Sequence, residues 1–393
     1  MTGPSLWIRL VALASVAGAV LVSPALANPV LLFDAKDGRV IEHQDAFRRW
    51  YPASLTKLMT AYVTFRAIQG GEMQLDSPIK VSKKASRQPP SKMGYPQGSV
   101  MGADNALKMM LVKSSNDIAM AIAENVGGSE KAFVARMNAE AARLGMADTH
   151  YANPNGLYAP DQYTTARDQA LLVSAIKREF PQHAGYFTIE GIVAGKKSIA
   201  NLNLLVGRYQ GADGMKTGFI CPSGFNMIGS ATRDGRTLVA VVLGEASLVS
   251  RADRVAGLLD KGFAAVPSPA AVTIAALPVA ADHAAAPADM KSVICPTPVP
   301  GKKKAKAEPS ETGAPEVVSR WRLPLDHAPT YVQVGLGGAD GPVPAGRLDA
   351  EGQEYADVPI PGWRPDLPDP TVPGSSVTGA PSQGDGTTKD VRN

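Results

Sequence analysis

The chain has 393 residues, with 40 Lys and Arg set against 36 Asp and Glu for a formal charge of +4. A charge this small, with no basic stripe interleaved with aromatics, gives no support for a nucleic-acid partner, and none is expected. At 45% hydrophobic residues, the length suffices for one large or two medium domains.

The first 27 residues join Arg9 to an apolar run from Leu10 to Val22 and a small-residue Ala25-Leu26-Ala27. This pattern predicts a cleaved secretory signal (1–27), because the run falls short of the roughly 20 apolar residues that a membrane span needs. Export places the folded protein in the periplasm or cell-wall space. There, Cys221 and Cys295 are compatible with one disulfide or with two separate thiols.

Next, VLLFDAKDGRVIEH sets two apolar runs around Asp37-Gly38, which predicts a β-hairpin, because Asp-Gly supplies the positive φ angles of tight reverse turns. The period then becomes helical. Segments near 54–69, 104–113, 116–126, 129–144 and 165–179 are apolar at three- and four-residue spacing, with Ser129 and Thr165 as caps. FNMIGSATRDGRTLVAVVLGE predicts a second hairpin around Asp234-Gly235, and a last helix follows near 251–263. Strands at both ends of a helical block predict an α/β (α+β) fold. Its antiparallel sheet is flanked by helices, with an inserted helical subdomain and a cleft where the two parts meet.

Composition changes near residue 265. Of the 32 prolines, 20 fall after it, so residues 28–265 are expected to form the catalytic domain and residues 266–393 a Pro/Ala-rich, mostly disordered tail. Within that tail AAVTIAALP and PTYVQVGLGG read as short strands and the lysines at 302–306 as a solvated linker. The last twenty residues are polar and lack an apolar face, which predicts no C-terminal membrane anchor.

Three short patterns carry chemistry. In YPASLTKLMT, Ser54 and Lys57 are three apart and share a helix face. A lysine in a desolvated site shifts toward the neutral amine, which can take a serine's proton; the competing reading is a helix-capping serine with a solvated lysine. In VKSSNDIAM, Ser114 and Asn116 lie at a junction between helices. Ser114 is placed to relay a proton, and Asn116 to hold Lys57 and donate to a substrate carbonyl. In DGMKTGFI, Lys216 and Thr217 can hold a carboxylate, and Gly218 inside a strand suggests close approach of another backbone, such as a substrate strand. The five histidines show no metal-ligand spacing, so no cofactor or metal is expected.

Taken in order, these patterns match the set found in penicillin-binding proteins and class A β-lactamases. With NPNGLY, TTARD and SGFNMIGSATRDGRTLVAVVLGE, residues 29–264 resemble the D-alanyl-D-alanine carboxypeptidases among the low-molecular-weight penicillin-binding proteins. The resemblance implies a serine acyl-enzyme acting on the terminal D-alanyl-D-alanine of peptidoglycan stem peptides, with β-lactams as covalent inhibitors. It implies Ser54 as nucleophile, Lys57 as base, and Ser114, Asn116 and Lys216 as relay and substrate-holding groups. Thr217 would contact the substrate carboxylate, the N–H groups of Ser54 and Phe219 would form an oxyanion hole, and Arg251 would add positive charge.

Many relatives continue the third motif as Lys-Thr-Gly-x-Thr, whereas Ile220 stands here, and Leu202 replaces an arginine that some relatives carry. A β-lactamase of class A needs a Glu-x-x-Leu-Asn loop, and none occurs between residues 117 and 216. An endopeptidase cutting D-alanyl cross-links shares all three motifs, and a wall-binding protein with a vestigial site is the non-enzymatic alternative.

Overall fold

The computed structural model describes residues 28–279, 285–296 and 325–344. The expected signal, the lysines at 302–306 and the last twenty residues lie outside the described residues. In chain order, β1 (Val30–Asp34) and β2 (Val40–Gln44) form the first hairpin, followed by α1 (Thr56–Gln69). The helical block comprises β3 (Pro78–Lys80), α2 (Lys83–Ser86), β4 (Val100–Gly102), α3 (Ala103–Val112), α4 (Asn116–Gly127) and α5 (Glu130–Arg143). Then come α6 (Ala166–Glu179), α7 (Gly185–Thr188), β5 (Gly191–Ala194) and β6 (Lys197–Ala200). Next are β7 (Ala212–Ile220), β8 (Gly224–Arg233), β9 (Arg236–Glu245) and α8 (Leu248–Ala264), and finally α9 (Lys291–Ile294) and β10 (Tyr331–Val334).

A five-stranded antiparallel sheet runs in the order β2-β1-β9-β8-β7, so strands from near residue 30 and near residue 240 meet, with Leu32 opposite Ala240. Side chains alternate between its faces. Leu31 and Phe33 join the large cluster that holds α1 and α6, whereas Val30 and Leu32 pack with Val255 and Leu259 of α8. Both faces are therefore covered, which is why VLLF reads as an unbroken apolar run rather than an alternating one. Eleven of the fourteen residues of α1 are buried, so this helix is the spine between the sheet and the helical block.

Local signals explain most boundaries. Ser129 and Thr165 accept from the backbone N–H of Ala132 and Asp168 as N-caps. The last helix begins earlier than its apolar period suggests, because Ser247 and Ser250 cap each other's backbone.

The chain beyond residue 265 packs on this body where it is described. The strand expected in AAVTIAALP (270–278) is instead a single antiparallel bridge, Arg39 to Thr273, followed by a tight turn at Ile274–Ala276 that buries Ile274. Burying that side chain turns the backbone inward and ends the pairing. The expected strand in PTYVQVGLGG is present as β10, parallel to β5 with Val332 opposite Ile192. Cys221 and Cys295 form a disulfide.

His183 stacks on Phe65 with ring centroids 4.3 Å apart, and burial pushes its pKa below the ordinary histidine value. As pH falls below about 6.5 the unfolded chain takes up this proton first, so stability is lost from there down to the depressed folded value. His183→Phe should flatten that part of the stability curve in urea titrations across pH. An unchanged slope would show that His183 is not held neutral by the fold.

Candidate active site

Ser54 sits on a tight turn, Ala53–Leu55, that leads into α1. Pro52 starts the turn, and Ala53 takes a positive φ of 48°. Asn226 of β8 fastens this turn to the sheet: its amide donates to the carbonyls of Tyr51 at 2.9 Å and Pro52 at 3.2 Å, and its oxygen accepts from Gly244 N–H at 2.9 Å. The Ser54 side chain makes no capping bond, so the capping reading fails. Its hydroxyl instead meets Lys57 Nζ at 2.9 Å.

Lys57 is fully buried, and its nitrogen also donates to Asn116 Oδ1 at 2.8 Å and the Asn155 carbonyl at 2.6 Å. These three acceptors match the three N–H bonds of an ammonium and fix Nζ beside the serine oxygen. Once neutral, the amine can accept the hydroxyl proton across the same 2.9 Å contact.

Ser114 lies between α3 and α4 in the left-handed region, φ 62°, which turns its hydroxyl toward the sheet. Lys216 Nζ donates to Ser114 Oγ at 3.0 Å and to the Thr217 carbonyl at 3.0 Å. Asn116 opens α4. Its amide nitrogen, expected to reach a substrate carbonyl, is held by the carbonyls of Pro89 and Pro90 at 3.1 Å each, while its oxygen holds Lys57. The fold thus brings Ser54, Lys57, Ser114, Asn116 and Lys216 together from the three sequence patterns.

A cleft of about 820 Å³ opens above Ser54, Ser114 and Asn116. From the edge strand β7 it is lined by Phe219 and Ile220, whereas Thr217 is buried. Gly218 is pressed against protein, not against open space for a substrate: a Cβ there would lie 2.9 Å from the Pro52 carbonyl oxygen and 3.0 Å from Ser54 N. The close backbone inferred from this glycine is therefore the turn that carries Ser54. Arg251 lies beneath the sheet, 1% exposed, with its guanidinium on the carbonyls of Gly218 and Asn226 at 3.3 Å each. It braces β7 from behind, and the cleft lining does not include it.

Several participants carried no clear signal in the sequence. The Asn155 carbonyl is a backbone group with no residue signature, and Asn226 looks like an ordinary strand residue. Gly156, with φ 85°, lies so close to the turn that a Cβ would fall 1.9 Å from the Ala53 carbonyl oxygen; its Asn-Gly pair was the available clue. Tyr51 and Tyr158, which lines the cleft, pack with their ring planes tilted by 51° and centroids 5.4 Å apart. Burial and the Tyr158 contact push the Tyr51 phenol up to about 12, so it stays protonated at neutral pH. Among the described residues no cluster of His, Cys, Asp or Glu could hold a metal ion.

A family model described as D-alanyl-D-alanine carboxypeptidase matches residues 20–247. The chain is similar to D-alanyl-D-alanine carboxypeptidase DacC of Escherichia coli, 33% identical over 244 residues that cover 60% of this chain and 61% of that protein. The chain therefore spans about six tenths of the length of such relatives. Among solved structures it resembles D-alanyl-D-alanine carboxypeptidase DacD from Francisella tularensis, with a TM-score of 0.59 and 30% identity, covering 60% of this chain and 70% of that one. It also resembles a penicillin-binding protein from Listeria monocytogenes in its cefotaxime-bound form, with a TM-score of 0.55 and 26% identity, covering 60% and 97%.

Proposed function

The chain belongs to the D-alanyl-D-alanine carboxypeptidase family, and on that premise we propose that it removes the terminal D-alanine from peptidoglycan stem pentapeptides. The observation that carries this reading is the buried Lys57 amine held against Ser54 Oγ at the floor of the cleft. Ser54 Oγ attacks the carbonyl carbon of the penultimate D-alanine while its proton passes to Lys57 Nζ. The N–H groups of Ser54 and Phe219 receive the developing oxyanion, where one such donor typically contributes about 3 kcal/mol. The C–N bond then breaks, and the departing amine takes a proton delivered through Ser114, whose hydroxyl is held by Lys216. Water cleaves the resulting ester and returns Ser54.

β-Lactams enter the same path, since their amide acylates Ser54 but the leaving nitrogen stays tethered. The Glu-x-x-Leu-Asn loop that would favour rapid ester hydrolysis is missing from residues 117–216, which supports slow release and a β-lactam-inhibited enzyme over a class A β-lactamase. Residues 28–265 carry every group in this mechanism, and the working location is the periplasm or wall space. The direct test is release of free D-alanine from a soluble pentapeptide stem by the purified protein; acylation by penicillin with no D-alanine release would reduce the reading to a penicillin-binding site.

Ile220 shares a face of β7 with Lys216 and Gly218 and lines the cleft. A hydroxyl there could donate to the substrate's terminal carboxylate, and such charged hydrogen bonds are typically worth about 1.5 to 3 kcal/mol. Ile220→Thr should raise kcat/KM on D-alanyl-D-alanine peptides about tenfold, near the low end because the new hydroxyl must be ordered. A marked fall at unchanged thermal stability would mean that Ile220 positions the substrate by packing.

A further inference from the structure

We infer that residues 285–296 form an end wall of the cleft that selects chain ends, with Lys291 meeting the terminal carboxylate; this rests on the carboxypeptidase reading. The segment lies beyond residues 20–247, so the family match does not account for it. It is a built part of the site, because four contacts fix it. Cys295 is disulfide-bonded to Cys221, Met290 N–H donates to the Pro222 carbonyl at 2.9 Å, and Ala288 N–H reaches the Arg49 carbonyl at 3.4 Å. Ile294 is buried in a cluster with Phe225 and Leu248.

The position of this wall decides what it can do. Cys221 directly follows Ile220, the last residue of β7, so the wall stands at the end of the edge strand that borders Ser54. Asp289 and Lys291 line the cleft together with Ile220 and Phe219. The positive groups expected for the carboxylate are engaged elsewhere. Lys216 is on Ser114 and on the Thr217 carbonyl, and Arg251 is beneath the sheet on two carbonyls. Ile220 brings no donor. Lys291 is exposed and supplies an ammonium at that end of the cleft, while a carboxylate oxygen of Asp289 is taken up by the Lys291 backbone N–H at 2.8 Å. An ammonium there attracts a chain-terminal carboxylate, and a pinned segment behind it obstructs a chain that continues past the leaving residue.

The test uses the full chain with a soluble pentapeptide ending in D-alanyl-D-alanine and with the cross-linked dimer of the same stem. Wild type should favour the pentapeptide. Lys291→Met should raise KM for it about tenfold with little change in kcat, the signature of binding lost equally from ground and transition states. Replacing both cysteines, Cys221→Ser with Cys295→Ser, should unpin the wall and reduce the preference for pentapeptide over dimer about tenfold. An unchanged KM in Lys291→Met overturns the carboxylate role, and that measurement stands if the double variant fails to fold. An unchanged preference in a folded double variant whose 285–296 segment has become protease-sensitive overturns the wall. Wild type that prefers the dimer also sinks the wall, whereas wild type that releases D-alanine from neither substrate sinks the carboxypeptidase reading beneath it.

Discussion

Ser54→Ala is expected to abolish covalent labelling by penicillin and D-alanine release together, while the protein keeps its fold. The neighbouring serines are engaged otherwise: Ser114 is held by Lys216, and Ser115 donates to the Met109 carbonyl. The structural cost should be small. Ser54 makes no capping bond, so the loss of about 1 kcal/mol usual for a helix cap does not apply. Lys57 keeps its contacts with Asn116 and the Asn155 carbonyl. Intact-mass spectrometry after penicillin treatment reads the first outcome and thermal unfolding the second. Persistent labelling would move the nucleophile to another residue.

The second large effect is expected far from any reacting atom in the sequence. Gly156→Ala places a methyl group 1.9 Å from the Ala53 carbonyl oxygen and 2.9 Å from Ser54 N, at a φ of 85° that already disfavours a side chain. Both neighbours are backbone, so neither can rotate away. The overpacking and the strained dihedral together should cost about 2 to 4 kcal/mol. Whatever relief occurs shifts the turn that carries Ser54, and a displacement near 1 Å at a catalytic group can lower the rate about a hundredfold. Gly145→Ala is the matched control: its φ is 73°, and an added Cβ has nothing within 4 Å. It should cost only the dihedral strain, on the order of 1 kcal/mol, with activity unchanged. If the two variants behave alike, the contact between Gly156 and the turn has no role in placing the serine.

Particular residues mark how far the sequence could be read. Both Asp-Gly hairpins and the five helical segments were legible because turn chemistry and side-chain period are local properties. The helical block inserted between sheet strands was legible from their order. Ser54, Lys57, Ser114, Asn116 and Lys216 were legible as three spaced patterns, and the fold joins them through the Ser54–Lys57–Asn116 and Ser114–Lys216 contacts. What stayed hidden depends on tertiary approach. Arg251 was expected at the substrate and lies under β7, because a helix position near a motif does not reveal which side of the sheet it faces. The Asn155 carbonyl that holds Lys57 has no side-chain signature. Compositional bias described the region after residue 265 as tail, yet a short apolar residue such as Ile294 and one cysteine anchor part of it beside the cleft.

The central claim is that Ser54 becomes an ester of the peptide during turnover. It is tested most directly by mixing the purified protein with a D-alanyl-D-alanine peptide, quenching in acid within the first turnovers and mapping the acylated fragment by mass spectrometry. The predicted result is a transient adduct, equal in mass to the peptide minus its terminal D-alanine, on the fragment containing Ser54, and its absence in Ser54→Ala. Release of D-alanine at full rate by Ser54→Ala, or an adduct on any other residue, would contradict it.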